Sequence, residues 1–366
     1  MGEQKAKSTY LFPILSDEGK TTTGIAHLAE TGDPAGEGHL VEFRTLPVRS
    51  LLNRVVSRRS LPFAWSINPY RGCEFGCRYC YARYTHEFIE LRNPADFERK
   101  IFIKQAAGWL LRQELRSVQA NQTIAIGTAT DPYQPVERRA KITRGILEVF
   151  AGERGLSLGI VTKSTLIERD IDLLQQIAAE NDLTVHITIT TNKARLARIL
   201  EPRAPRPDLR FRTVRRLRHA GLRVGVMCSP LMPGITDSPS ALDTMARKSN
   251  EARASFFFAN PLFLKPCSKA TFLAFVHEHF PQLDSVYAKR YEEAFVSRAY
   301  QKRVADLVAA VRRKYGLGLR LETRTGSGKS AVKNTGPEQG SLWQEEYVPR
   351  KSALAHPMRQ RVMMTS

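Results

Sequence analysis

The sequence is short of cysteine: five in 366 residues, three of them between positions 73 and 80. That scarcity excludes a disulfide-stapled secreted scaffold, and a chain this long needs no staples to bury a core. Long apolar runs are also missing. The longest, Phe256 to Leu264, is interrupted by Asn260 and Pro261 and is too short to span a bilayer. The N-terminus is polar and mixed in charge, without the apolar core of a secretory signal, and "MGEQKA" has no Ser or Thr at position six for myristoylation. A cytoplasmic protein with no membrane partner is expected, in which clustered thiols point to metal. Acidic residues are the remaining deficit. Against 56 Lys and Arg stand 36 Asp and Glu, a formal net charge of +20 that favours polyanionic partners such as nucleic acid.

What is present has the rhythm of an α/β protein. Short β-rich runs, "FAWSINP", "TIAIGTAT", "LSLGIVTK", "LTVHITIT", "LRVGVMCSP" and "SFFFANPLF", each precede a charged or amphipathic stretch. Roughly six β/α units follow, which predicts a parallel sheet with helices outside it, barrel-like or doubly wound. In "RRAKITRGILEVF" one helical face carries Ile142, Ile146 and Val149; in "RDIDLLQQIAAEN" it carries Ile171, Leu174, Ile177 and Ala178. Beyond Pro266 the alternation stops, and Phe272 to Phe280, Asp284 to Val296 and Val304 to Tyr315 read as helices. The expected organisation is a flexible segment over 1–38, a barrel with its lead-in over 39–265, a helical cap over 266–322 and a flexible basic tail over 323–366.

The three clustered cysteines, Cys73, Cys77 and Cys80, lie in "RGCEFGCRYCYAR", just after the first predicted strand of the six, where parallel-sheet proteins put chemistry. A structural zinc site wants four closed ligands, and the other cysteines, Cys228 and Cys267, stand alone and far away in sequence. A four-iron, four-sulfur (4Fe-4S) cluster can take three cysteines and keep one iron open to an external ligand. Core-filling, unligated thiols are the plain alternative, against which Gly72, Gly76 and Arg78 argue, since they make a poor core segment.

The CxxxCxxC spacing, with Tyr79 just before the third cysteine, resembles the radical S-adenosylmethionine (SAM) superfamily, and "SINPYRGCEFGCRYCYAR" resembles its spore photoproduct lyase-like branch. "GTATDPYQPVE", "VTKSTLIERDIDLL", "ILEPRAPRP" and "GVMCSPLMPGITD" extend the resemblance from about Ser66 to Asp237. It implies a partial (β/α)6 barrel with the cluster at the carboxyl end of its strands. S-adenosyl-L-methionine would bind the open iron and be cleaved reductively to a 5′-deoxyadenosyl radical that takes hydrogen from a substrate, with damaged nucleic acid among the candidates. An electron donor such as flavodoxin or ferredoxin is implied as partner. The enclosing barrel would keep water and stray hydrogen donors away from the radical.

Strand alternation sorts the residues that could hold the cofactor. In "VHITITT", Val185, Ile187 and Ile189 should face the helices, leaving His186, Thr188 and Thr190 inward, with Thr190 nearest the reactive end. Lys163 and Ser164 close the third strand, where a lysine can pair with the methionyl carboxylate or simply be solvated. Many superfamily members carry a Gly-Gly-Glu run after the second strand; here "GTATDPYQPVE" replaces it. Asp131 becomes the candidate acceptor for the methionyl ammonium, or a turn-former before Pro132, while Gly127 would let the backbone approach the ligand. Tyr79 is placed on or near the adenine, or as a water-excluding wall.

Spore photoproduct lyases return hydrogen to product from a cysteine on the second barrel strand, and "TIAIGTATD" has none. Cys228 shares parity with Val224 and Val226 and is expected to be a packed core cysteine; Cys267, past the last strand, could approach the opening. No catalytic residue is assigned. From Arg195 to Arg223, ten arginines face two acids, Glu201 and Asp208. With Phe211, Val214 and Leu217 packed inward, Arg212, Arg215, Arg216 and Arg218 would form a free ridge suited to phosphate, or only a solvated face. "TRTGSGKSA" lacks the first glycine of a P-loop, Thr323 standing in its place. Two other readings stay open: a nucleic-acid-binding protein with a structural or redox-sensing cluster, and a zinc-binding module.

Overall fold

The computed structural model describes residues 23–32, 34–38, 41–55, 61–119 and 122–319, with only backbone described for 34–38. The P-loop-like segment and the basic tail lie outside these residues. Eleven strands are formed among them: β1 Pro34–Gly38, β2 Val41–Leu46, β3 Leu52–Arg54, β4 Trp65–Ile67, β5 Tyr70–Arg71, β6 Lys100–Lys104, β7 Thr123–Ile126, β8 Ser157–Thr162, β9 Asp182–Thr188, β10 Arg223–Met227 and β11 Phe257–Phe258.

The six expected β/α units are present. Strands β4, β7, β8, β9, β10 and β11 pair in parallel and in sequence order, with β3 added antiparallel to β4 at one edge. Because each strand lies beside its predecessor, all the crossover helices fall on one face and the sheet is a partial (β/α)6 barrel. Two cores follow from strand alternation. Val185, Ile187, Ile189, Val224, Val226 and Cys228 face outward into the main core, against helices Ile142–Ala151, Ile171–Glu180 and Pro207–His219 through Ile146, Leu174, Val214 and Leu217. The inner face carries Met227, Phe256 and Phe258, with His186 against both phenylalanine rings.

Regular structure begins inside the segment 1–38 expected to be flexible and continues through the lead-in that follows it. Helix Gly24–Thr31 packs Ala29 with Leu46, Ile89 and Phe102, and a second sheet runs in the order β1-β2-β6-β5. Its strands are short, and β6 buries Ile101 and Phe102 in different clusters, so neither face shows polar alternation along the chain. The cap comprises helices Pro266–His279, Asp284–Arg290 and Arg298–Lys314. The middle one stops at Arg290, short of the expected Val296, because Tyr291 turns inward, fully buried, and donates to the Leu262 carbonyl at 3.0 Å. Among the described residues no helix is long and apolar enough to cross a membrane.

Candidate active site

The loop between β5 and the short helix Tyr84–Glu87 carries Cys73, Cys77 and Cys80, and its shape is fixed from several sides. Gly72 opens it at φ +84°, where a Cβ would lie 2.8 Å from the Lys100 carbonyl oxygen. The Cys73 amide donates to the Phe97 carbonyl at 2.9 Å and the Arg78 amide to that of Leu200 at 2.9 Å. Buried Arg83 pairs with Glu98 and donates to the Cys77 carbonyl at 3.2 Å. From the loop after β7, Gln134 accepts from the Glu74 amide at 2.9 Å, while Thr130 donates to the Gly72 carbonyl at 2.6 Å. Glu74 in turn accepts from the Val136 amide at 2.7 Å.

All three cysteines line a partly open cavity at the carboxyl ends of the parallel strands. Of the residues anticipated for cofactor binding, Tyr79, Gly127, Asp131 and Lys163 line it as well, whereas Ser164 and Thr190 do not. Ser164 is buried and accepts from the Leu166 amide at 3.1 Å, shaping the turn after β8. Gly127, at φ +87°, has a role within the chain: a Cβ there would lie 2.5 Å from the Val161 carbonyl oxygen and 2.6 Å from Pro132. Asp131 ties the same two strand ends together, accepting from Thr162 Oγ1 at 2.6 Å, the Tyr133 amide at 2.9 Å and the Lys163 amide at 2.8 Å. Burial raises its pKa, and those donors only partly offset the effect. Two of these donors meet Oδ1 and one meets Oδ2, so Oδ2 keeps acceptor capacity that no donor among the described residues uses.

Lys163 holds its Nζ 5.7 Å from the Tyr79 ring centroid. Burial works against its charge, yet neighbouring Cys77, Glu201 and Asp131 prevail and leave its pKa raised. Thr188, at the end of β9, is 1% exposed and lines the cavity, and its hydroxyl has no protein partner. An orphaned hydroxyl at this depth is costly unless a ligand meets it. Strand parity marks Thr188 and Thr190 alike as inward, and of the two it is Thr188 that lines the cavity.

Behind the cysteine wall is a network that sequence reading missed. Glu201 forms a fully buried ion pair with Arg210 at 2.6 Å and accepts from the Tyr79 hydroxyl and, at 3.1 Å, from Thr190 Oγ1. Arg210 also donates to the Thr188 carbonyl at 3.1 Å and to that of Pro205 at 2.7 Å. Burial pushes the Glu201 pKa up, but Arg210 and Lys163 outweigh it and hold the carboxyl below its ordinary range. Burial, with Glu201 beside it, keeps the Tyr79 phenol protonated. The available signal was a single glutamate inside an arginine-rich run, "ILEPRAPRP". Cys228 points away from the cavity, its Sγ 3.8 Å from the Thr190 carbonyl oxygen, while Cys267 lies beside the Tyr81 carbonyl at 3.5 Å without lining the cavity.

The anticipated free ridge is largely engaged. Arg216 pairs with Glu168, and half-buried Arg218 donates to the Leu222 and Arg253 carbonyls. Leu222 precedes β10, so the Arg218 contact to it sits at the end of the sheet opposite the cysteines, whereas Glu168 follows the carboxyl end of β8.

The donor set fits an iron–sulfur cluster better than a single ion. No group of three or more His, Cys, Asp or Glu side chains among the described residues converges to hold one metal ion, yet all three cysteines line the same cavity. Burial raises all three thiol pKa values, that of Cys77 to about 12, so thiolates need a cationic partner to form there.

Residues 67–244 match the Radical SAM superfamily. An uncharacterized protein of Mycobacterium tuberculosis is 33% identical over 279 residues, covering 76% of this chain and 82% of that protein; one from Methanocaldococcus jannaschii is 24% identical over 248 residues, covering 68% and 86%. The fold is shared with spore photoproduct lyase. A mutant bound to dinucleoside spore photoproduct superposes with a TM-score of 0.56 at 15% identity, over 81% of this chain and 85% of the other. Another mutant, bound to AdoMet and the same dinucleoside, gives 0.55 at 15% identity over 75% and 79%. The chain belongs to the radical SAM superfamily, enzymes that work with a 4Fe-4S cluster and S-adenosylmethionine.

Proposed function

We propose that Cys73, Cys77 and Cys80 hold the cluster, and that the cavity beside them takes S-adenosylmethionine and one end of a substrate that carries a flat ring. The observation that carries this reading is the convergence, in one cavity, of three thiols, a lysine, an incompletely satisfied carboxylate and a partnerless buried hydroxyl. When bound, cluster and cofactor supply a carbon radical that abstracts hydrogen, at the expense of one electron from a donor such as flavodoxin or ferredoxin. Lys163 is suited to the methionyl carboxylate, Asp131 to the ammonium and Thr188 to a cofactor hydroxyl. Tyr79, pinned by Glu201, supplies a rigid wall and keeps water from the reacting centre.

The flat ring is suggested by aromatic side chains in and beside the cavity lining. Tyr81 and Phe263 line it with ring centroids 5.2 Å apart, Phe263 stacks on Phe295, and Lys265 Nζ lies 4.1 Å from the Tyr84 centroid. Aromatic rings in the lining, with a lysine held against Tyr84 beside them, favour a nucleobase or a comparable ring. Anaerobically reconstituted protein with dithionite should convert S-adenosylmethionine to 5′-deoxyadenosine, and deuterated substrates should pass deuterium into it. Absence of 5′-deoxyadenosine would defeat the reading.

A further inference from the structure

An electron must reach the cluster from outside, and the outer surface of the cysteine loop is built differently from the cavity. Gly76 and Arg78 flank Cys77, and neither lines the cavity. Arg203 closes over them: its amide donates to the Phe75 carbonyl at 3.4 Å, and its guanidinium donates to the Glu98 carbonyl at 3.2 Å, next to Arg99. Arg198 donates to the Pro202 carbonyl at 2.8 Å, next to Arg203. Arg99, Arg198 and Arg203 are exposed and Arg78 is half-buried. None of the four pairs with a carboxylate among the described residues, in contrast to Arg83, Arg144, Arg169, Arg210 and Arg216.

We infer that this arginine collar, lying over the cluster loop on the side away from the cavity, is the docking surface for a small acidic protein that carries one electron. The inference rests on the proposed function, because it needs a cluster behind Cys77. Unneutralised charges at one place steer an oppositely charged partner, and the steering weakens with salt. A polyanionic substrate would have to enter through the cavity, which the collar does not line. A redox protein needs only to approach the wall. In the step proposed, the reduced partner gives one electron to the oxidised cluster and is itself oxidised by one electron, with no atom transferred.

The test compares wild type with the double variant Arg99→Glu/Arg198→Glu, both with reconstituted cluster. Reduced flavodoxin, an acidic one-electron carrier, should support 5′-deoxyadenosine formation that falls roughly tenfold in the variant at low salt, while the dithionite-driven rate stays within about twofold. Oxidised flavodoxin should bind wild type with an affinity that falls as salt is added, and the variant should lose that dependence; this readout decides even if no 5′-deoxyadenosine forms in either protein, a result that would defeat the proposed function alone. Unchanged flavodoxin binding would overturn the inference. So would an equal loss with dithionite, which would make the arginines structural, or loss of oligonucleotide binding with flavodoxin unaffected, which would assign the collar to nucleic acid.

Discussion

At the residue scale, the three cysteines are expected to act as a unit. Replacing any one of Cys73, Cys77 or Cys80 by alanine should strip the iron and the visible absorption of the anaerobic protein, whereas Cys228→Ala should retain both, because Cys228 packs into the outer core. The Glu201–Arg210 pair gives a sharper prediction. Glu201→Gln leaves a buried guanidinium without its counter-charge and should cost about 3 kcal/mol in denaturant unfolding, whereas Glu201→Leu with Arg210→Met should recover most of that loss. Affinity for S-adenosylmethionine should stay low in the double variant, since Tyr79 and Thr190 lose the acceptor that holds them.

Lys104 carries a pH dependence. Burial, with Arg71 nearby, lowers its pKa from 10.5 to about 7, against a small opposing effect of Glu114. Between those values the unfolded chain keeps a proton that the folded protein has released, so stability should rise with pH from about 7 to about 10.5. Lys104→Met should remove that slope and raise stability at pH 6 by an amount on the order of a few kcal/mol, read by unfolding at several pH values.

At the scale of elements, the six parallel strands and most of their helices were legible because their periodicity is long and regular. Val185, Ile187 and Ile189 alternate cleanly with His186 and Thr188; the first three join the outer core and Thr188 lines the cavity, although all five are buried. The second sheet was not legible, since β5 has two residues and β6 buries adjacent side chains in different clusters. At the site, the cysteine spacing and the strand ends could be read, and they located Tyr79, Asp131 and Lys163 at the cavity. What could not be read were contacts between distant segments: Glu201 to Tyr79, Gln134 to Glu74 and Arg83 to Glu98 each join parts of the chain that no local pattern relates. Gly127 shows the same limit, since its constraint is the carbonyl of Val161 on the neighbouring strand. Gly127→Ala should therefore cost about 2 kcal/mol and loosen the Asp131 loop, seen as a lower unfolding midpoint together with weaker cofactor binding.

At the scale of the whole molecule, the positive charge is divided by position. On the helix Pro207–His219, Arg216 is spent on Glu168 and Arg218 on loop carbonyls, while the arginines over the cysteine loop have no carboxylate partners among the described residues. The barrel provides a partly open cavity at the carboxyl ends of its strands, and the arginines over the cysteine loop lie outside its lining. All of this depends on a cluster with one iron left free of protein ligands. The most direct measurement is electron paramagnetic resonance of the anaerobically reconstituted, reduced protein with and without S-adenosylmethionine. A 4Fe-4S signal that changes when S-adenosylmethionine is added is the predicted result; zinc in place of iron, or a cluster signal indifferent to S-adenosylmethionine, would contradict the account.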